Sequence, residues 1–375
     1  MRVAVIVPSY NEADNIAFVT KIIDKGLILA SRKFPDITEA IIVNVDNTSS
    51  DNTRGIFQKT STHFNKLSLQ TKGQPGKGKN LIYFLHKYSK KYDIFVTLDA
   101  DLKSIKANWL VKLLEPFFKK SKSCDFVWPL YKRSRFEGST TNLFAYPIIY
   151  SLFKSDVRQP IAGDFAFSQR FAVKILSNII PAEAYRYGID ILFSIRACQY
   201  ANYTQQINLG HKIHKPSFFK LENMFPQIAA TAIDTINSGV GNILPVRIIN
   251  HNKSICISSN KKFKHRRQAN TLLLKKTEFL AANLKKVAWL DGGIKRKIKA
   301  VLGGNKILNN SLWSSILSNW LHYALKKHKN NSLTIAKELL PFFVLRVVSF
   351  WNEISPLRAS EIESMIKKQA KIIIK

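Results

Sequence analysis

The sequence predicts an α/β protein: a mostly parallel, mixed sheet between layers of helices, followed by a helical, basic C-terminal region. Three observations carry this expectation. Over residues 1–105 short apolar runs alternate with segments of helical periodicity, the pattern of strand–helix–strand units. The conspicuous polar residues in this half follow directly on apolar runs, and ligands of such sheets sit at the carboxyl ends of the strands. From about residue 236 Lys and Arg become frequent and helical spacing takes over. A boundary near 236 therefore separates 1–235, with halves 1–105 and 106–235, from 236–375.

The elements are expected in the following order. Val3–Val7 is a strand, and helical periodicity runs from Glu12 to about Ala30 with Asn11 as its N-cap. Ala40–Val45 is the second strand, Asp46–Thr53 a turn-rich loop and Leu67–Gln70 a short third strand. Lys79–Tyr92 reads as a helix and Ile94–Leu98 as a strand. In the second half Phe126–Tyr131 is strand-like, Asn142–Phe153 helical despite Pro147, Ile189–Gln199 a helix and Thr204–Leu209 a strand.

A chain of 375 residues with 46% hydrophobic content can bury a substantial core. Cys124, Cys198 and Cys256 are scattered, odd in number and not at metal-ligand spacing, which suits a reducing compartment. No signal-peptide pattern precedes the first strand. The apolar stretch Leu339–Trp351 carries Pro341 and Arg346 and is too short to span a bilayer. A cytoplasmic protein is the expectation. The formal charge is +33, and residues 241–375 hold 26 basic and 6 acidic residues. Such a field attracts anionic metabolites, lipid or nucleic acid without choosing among them, and much of it is ordinary solvated surface.

The chemistry concentrates at Val96-Thr97-Leu98-Asp99-Ala100-Asp101. Side chains alternate along a strand, so at its frayed end Asp99 and Asp101 can point the same way. Two carboxylates converging there suit a hard cation such as Mg2+ or Mn2+, which keeps waters and takes phosphate oxygens as further ligands. Alone, the pair is a weak signal.

Three motifs in order make it stronger. Val5-Ile6-Val7-Pro8-Ser9-Tyr10-Asn11-Glu12, Val45-Asp46-Asn47-Thr48-Ser49-Ser50-Asp51-Asn52-Thr53 and Asp99-Ala100-Asp101 together resemble the family-2-like glycosyltransferases of the GT-A fold. Pro75-Gly76-Lys77-Gly78, Gln159-Pro160-Ile161-Ala162-Gly163-Asp164, Tyr187-Gly188-Ile189-Asp190 and Asn208-Leu209-Gly210 with His214 are similar to motifs of the retaining glucosyl-3-phosphoglycerate, glucosylglycerate and mannosylglycerate synthases. Leu339-Leu340-Pro341-Phe342-Phe343 with Arg346 is a weaker match to the glucosylglycerate branch. The resemblance spans about 1–235. It implies a metal-dependent hexosyl transfer from a nucleotide-diphosphate sugar, with retention of configuration, to a small hydroxylated or anionic acceptor such as glycerate or phosphoglycerate.

Residue by residue, the resemblance implies that Pro8, Tyr10, Glu12, Asp46, Lys77, Asp99 and Ala100 bind the nucleotide sugar, with the donor a UDP-, GDP- or ADP-hexose. Asp101 and His214 would ligate Mg2+ or Mn2+. Lys77, between two glycines, would bring backbone N–H groups and a cation to phosphate. Asp190 and Asp164 would lie nearest the sugar and the acceptor, Asp190 orienting rather than attacking. Gly138, Thr140 and Thr141 would hold the acceptor. The chain departs from the pattern where phosphoglycerate-using relatives carry Arg-x-Thr after the glycine; here it reads Ser139-Thr140-Thr141, and Lys132, Arg133 and Arg135 are the substitute cations. It departs again after the metal histidine, with Lys215-Pro216. Two rival expectations remain. One is a transferase of this fold acting on a lipid-linked phosphate, with the basic tail and Trp289, Trp313, Trp320 and Trp351 at a membrane surface. The other is a polyanion-binding protein with a dead site. Homodimerisation through the aromatic tail is a further expectation.

Overall fold

The computed structural model describes residues 1–119, 124–213, 220–239, 248–250, 256–257, 266–304, 307–327 and 331–372. The first half is built as the alternation requires: β1 (Arg2–Ser9), α1 (Ala13–Lys33), β2 (Glu39–Asp46), α2 (Thr53–Lys59), β3 (Asn65–Gln70), α3 (Lys77–Tyr88) and β4 (Ile94–Thr97). Then follow α4 (Asn108–Leu114), β5 (Phe126–Lys132), α5 (Tyr146–Phe153), β6 (Ala166–Ser168), α6 (Gln169–Leu176), α7 (Ile189–Tyr200), β7 (Thr204–His211), α8 (Leu221–Asn237) and β8 (Ile248–Asn250). The C-terminal region is helical throughout: α9 (Arg266–Asn283), α10 (Gly292–Leu302), α11 (Asn310–Lys327), α12 (Ser332–Ile354) and α13 (Ala359–Ile372).

The strands form one sheet in the order β3-β2-β1-β4-β6-β5-β7-β8. β1 pairs in parallel with β2 and β4, and β2 with β3. β6 is antiparallel to both its neighbours, β4 and β5, while β5, β7 and β8 run parallel. The mixed, mostly parallel α/β sheet of the GT-A type is thus present. Val3–Val7 are fully buried, as strands covered on both faces must be.

Three local expectations are corrected. Asn11 is not the N-cap of α1: it takes a left-handed φ of 54°, and Glu12 occupies the cap position. β6 was not anticipated; three residues are too few to show a period, and pairing with β4 and β5 creates it. The stretch before Pro147 is a wide π turn, Thr141–Ala145, with α5 starting behind it. Proline lacks the N–H that a continuous α-helix would use, and the wider turn absorbs that loss.

The C-terminal helices share a core with the sheet domain. Phe225 of α8 stacks on Phe343 of α12 with ring centroids 3.9 Å apart, and Trp313 donates from its indole Nε1 to Leu143 O at 2.9 Å. Trp289, Trp313, Trp320 and Trp351 are all buried. The segment Leu339–Phe343 lies inside α12, and Arg346 is fully buried, bonded to Leu308 O and Glu353. These aromatics are core packing rather than a surface for lipid. Among the described residues no helix is long and apolar enough to cross a membrane.

Candidate active site

The site lies where β1, β2 and β4 end. β4 stops at Thr97, and the chain turns through Asp99, Ala100 and Asp101. This turn is fixed from two directions. Asp99 N donates to Asp164 Oδ1 at 2.9 Å, and Thr97 Oγ1 accepts from Phe165 N at 3.0 Å. Further on, Lys103 N donates to Ile213 O at 2.9 Å and Ile213 N to Ser104 Oγ at 2.8 Å. The loop carrying Asp101 is therefore tied to the end of the segment that leads into residue 214. His214 itself lies outside the described residues.

A charged cluster fills the turn. Lys77 Nζ lies 2.7 Å from Asp99 Oδ1 and 3.0 Å from Asp190 Oδ1, and donates to Gly163 O at 2.8 Å. Lys212 Nζ lies 2.9 Å from Asp99 Oδ2 and 2.6 Å from Asp164 Oδ2, and donates to Ala162 O at 2.7 Å. Tyr131 donates its phenolic OH to Asp164 Oδ2 at 2.8 Å. Gly163 is required here on two counts: its φ is +93°, and a Cβ would fall 2.5 Å from Asp99 Oδ2.

The electrostatics follow from this packing. Burial would raise the Asp99 carboxyl, but Lys212 and Lys77 outweigh it and hold Asp99 far below the usual carboxylate range. Asp190 goes the other way: burial lifts it, and Lys77 only partly compensates. Burial works against charge on Lys77, yet Asp190 and Asp99 keep it firmly protonated. Lys212 is likewise raised, with Asp164 and Asp99 overcoming its burial. Two carboxylates in one site are thus pushed apart in proton affinity, the signature of distinct roles.

Two expectations for the nucleotide loops change in detail. Gly76 N donates to Asn47 Oδ1 at 2.9 Å and Gly78 N to Arg186 O at 3.1 Å, so these N–H groups are spent inside the protein. The glycines are there because backbone packs on them: a Cβ at Gly78 would lie 1.8 Å from Ala184 O. Lys77, at the start of α3, is what this loop delivers. Asp46 is also turned into its own loop, accepting from Ser9 Oγ at 3.1 Å and Ser49 N at 2.8 Å, and is almost fully buried. Pro8 and Ala100 are buried, Tyr10 is half exposed, and Glu12 accepts from Asn15 Nδ2 at 3.0 Å.

The residues expected to hold the acceptor lie in the loop that follows β5. Gly138, with φ +68°, turns the chain into Thr140 and Thr141, and Gly138 and Thr141 line a small cavity with Arg133, Arg158 and Gln159. Of the substitute cations, Arg135 is committed elsewhere: its Nη1 donates to Ile354 O at 3.0 Å, Ser355 O at 3.2 Å and Leu357 O at 2.8 Å. Lys132 is exposed at the end of β5. Arg133 stands over the Tyr131 ring, 5.8 Å from its centroid.

Sequence reasoning missed Lys212 and Tyr131. In a chain with 58 Lys and Arg, one more lysine beside a strand end carries no signal, although it is the best-paired cation of the site. Tyr131 reads as a strand aromatic, and only the fold brings its OH to Asp164.

A donor set of this kind fits Mg2+ or Mn2+. Asp99, Asp164 and Asp190 face two ammonium groups, which leaves the cluster net negative before Asp101 is counted. An anionic diphosphate needs further positive charge there, and Asp101, two residues after Asp99, is a hard oxygen ligand of the type such a cation takes. Among the described residues no group of three His, Cys, Asp or Glu could hold a metal ion.

An α/β sheet with an Asp-x-Asp turn and a cluster of lysines and carboxylates at its strand ends has the layout of a glycosyltransferase of the GT-A type. The sequence points the same way: residues 4–176 match Glycosyl transferase family 2. Solved structures of similar architecture include glucosyl-3-phosphoglycerate synthase from Mycobacterium tuberculosis. Its complex with Mn2+, UDP and glucosyl-3-phosphoglycerate is 23% identical, over 64% of this chain and 81% of that one, with a TM-score of 0.49. The complex with Mn2+, UDP-glucose and phosphoglyceric acid is 23% identical, over 66% and 88%, with a TM-score of 0.48. No curated protein sequence matches the chain.

Proposed function

We propose that this enzyme transfers a hexose, with retention of configuration, from a nucleotide-diphosphate sugar to a small hydroxylated, anionic acceptor of the glycerate or phosphoglycerate kind. The observation that carries the reading is the junction of the Asp99-Ala100-Asp101 turn with Lys77 and Asp190 at one strand end, in a chain whose residues 4–176 match family 2. Asp101, with His214, would hold Mg2+ or Mn2+, and the bound ion would neutralise charge on the departing diphosphate. Lys77 adds a second fixed cation for that charge, pre-aligned by Asp99 and Asp190, so little reorganisation is needed as the sugar–phosphate bond lengthens. Asp190, held on Lys77, orients the sugar. Asp164 takes no part directly: fully buried, it fixes Lys212, Tyr131 and the Asp99 amide. The acceptor enters past Tyr131 from the Gly138–Thr141 side. The strong positive charge also fits a peripheral electrostatic contact with an anionic membrane, to be tested by liposome sedimentation at rising salt.

The deciding experiment is thermal stabilisation by UDP, GDP and ADP, each with and without Mn2+, in the wild type and in Asp101→Ala. A metal-dependent shift for one nucleotide, lost in the variant, is expected and names the donor base. No shift with any nucleotide sinks the reading.

A further inference from the structure

The acceptor cavity contains two guanidinium groups whose hydrogen bonding is incomplete. Arg133 Nε and Arg158 Nη2 are buried and have no hydrogen-bond acceptor among the described residues. Both arginines line one small cavity, together with Gly138, Thr141 and Gln159. A buried charged N–H without an acceptor costs more than an ordinary unmade hydrogen bond, so such a group is matched by a water, an ion or a ligand oxygen, and two of them converging on one cavity favour an anion. Planar N–H groups from two guanidinium ions match the oxygens of a carboxylate or phosphate. Glu137 also lines the cavity, yet no ion pair joins it to either arginine among the described contacts.

The cavity is next to the charged cluster. Arg133 and Lys212 both stand on the Tyr131 ring, at 5.8 and 5.2 Å from its centroid. Gln159 clamps the Tyr131 backbone, donating to its O at 2.7 Å and accepting from its N at 3.1 Å. An anion held at the arginines therefore lies one tyrosine away from Lys212, Asp99 and Asp164.

Arg158 is set in place by the far end of the chain. Its Nε donates to Glu363 Oε2 at 2.8 Å and its Nη1 to Asn142 Oδ1 at 2.9 Å, leaving Nη2 for the cavity. Glu363 is on α13, and its other oxygen accepts from Cys256 N at 2.8 Å, another lining residue. Gln369 of the same helix donates to Asn142 O at 3.4 Å.

We infer that Arg133 and Arg158 clasp the anionic group of the acceptor, that Glu363 is the positioning residue for Arg158, and that the C-terminal region exists in part to build this wall of the acceptor site. The inference rests on the transferase reading above and deepens it. It also accounts for the missing arginine after Gly138: the cation comes from Arg158, 20 residues further along the chain.

The test is calorimetric binding to the full chain, in the presence of Mn2+ and whichever nucleotide stabilises it. The probes are glycerol, glycerate, glycerol 3-phosphate and 3-phosphoglycerate. Wild type is expected to bind at least one anion and to bind glycerol at least tenfold more weakly. Arg158→Gln should weaken the anion by about ten- to a hundredfold, Arg158→Lys somewhat less, and Glu363→Gln by about tenfold, all with the nucleotide thermal shift kept. In turnover, Glu363→Gln should raise KM for the acceptor more than it lowers kcat, a split that loss of fold stability alone does not produce. Binding of none of the anions, equal binding of glycerol, or unchanged anion affinity in Arg158→Gln and Arg158→Lys each overturns the inference while the donor reading stands. Absence of any nucleotide shift in wild type overturns the transferase reading itself. Glycerate against the two phosphates distinguishes a carboxylate clasp from a phosphate clasp.

Discussion

The donor end and the acceptor end of the sheet are held in different ways. Around β1 and β2 the loops close on one another within the first half: Asp51 accepts from Thr53 N at 3.1 Å and Ala13 N at 3.0 Å, and Asn11 accepts from Ser50 N at 3.0 Å. Around β5 and the Gly138 loop the ties come from the C-terminal helices, through Arg135 to residues 354–357, Arg158 to Glu363, and Leu143 to Trp313. The first arrangement rests on contacts at most 39 residues apart along the chain. The second depends on contacts more than 150 residues apart along the chain, so it can change acceptor without disturbing donor chemistry.

Substitutions at the donor end should cost activity far more than stability. Asp101→Ala is expected to lower kcat about a thousandfold or more, because hard-cation stabilisation of a leaving diphosphate contributes several kcal/mol. Its Tm without nucleotide should shift little, as is usual for a partly exposed position. Turnover of the nucleotide sugar at saturating Mn2+ measures this, and wild-type kcat in the variant would break the comparison. Gly163→Ala should cost about a hundredfold, since its methyl group displaces Asp99 from Lys77 and Lys212. Here kcat falls while the nucleotide affinity, read by thermal shift, changes less.

At the acceptor end the balance reverses. Arg135→Met removes a guanidinium that satisfies three carbonyls at the C-terminus of α12. The expected loss is about 2–4 kcal/mol of stability, seen in urea unfolding, with KM for the acceptor unchanged once the protein is folded. A rise in that KM without loss of stability would return Arg135 to acceptor binding.

This asymmetry explains what could be read in the sequence. β1, β2, β4 and the Asp99–Asp101 turn are legible because apolar run, turn residue and carboxylate are contiguous. Lys77 is legible because its glycines must make close approaches. The β6 strand, Lys212 and the commitment of Arg135 are not legible. Each is defined by a partner far away in the chain, and in a Lys-rich sequence neither a lysine nor an arginine announces its partner. The tail tryptophans misled for the same reason: aromatic spacing looks alike whether the face meets lipid or another helix.

The smallest expected effect is the most specific to the charge arrangement. Asp99 is depressed by Lys212 and Lys77 despite its burial, so its stabilisation is present above the ordinary carboxylate value near 3.8 and is lost as pH falls below it. Asp190 is raised by burial, so the folded state takes up its proton first, and ionised Asp190 costs stability at neutral pH. Asp190→Asn should therefore raise Tm at pH 7, by about 1–3 °C, while abolishing most transfer activity. The gain should shrink as pH falls through the raised pKa of Asp190 towards 3.8, because folded wild-type Asp190 is by then neutral and resembles asparagine. Lys77 retains Asp99 as its partner throughout, so the variant does not strand a cation. Thermal unfolding of both proteins from pH 4 to 8 measures the convergence. A destabilised variant at pH 7 would mean that the Lys77 pair outweighs the burial of Asp190, and the donor end would then be built for stability as much as the acceptor end.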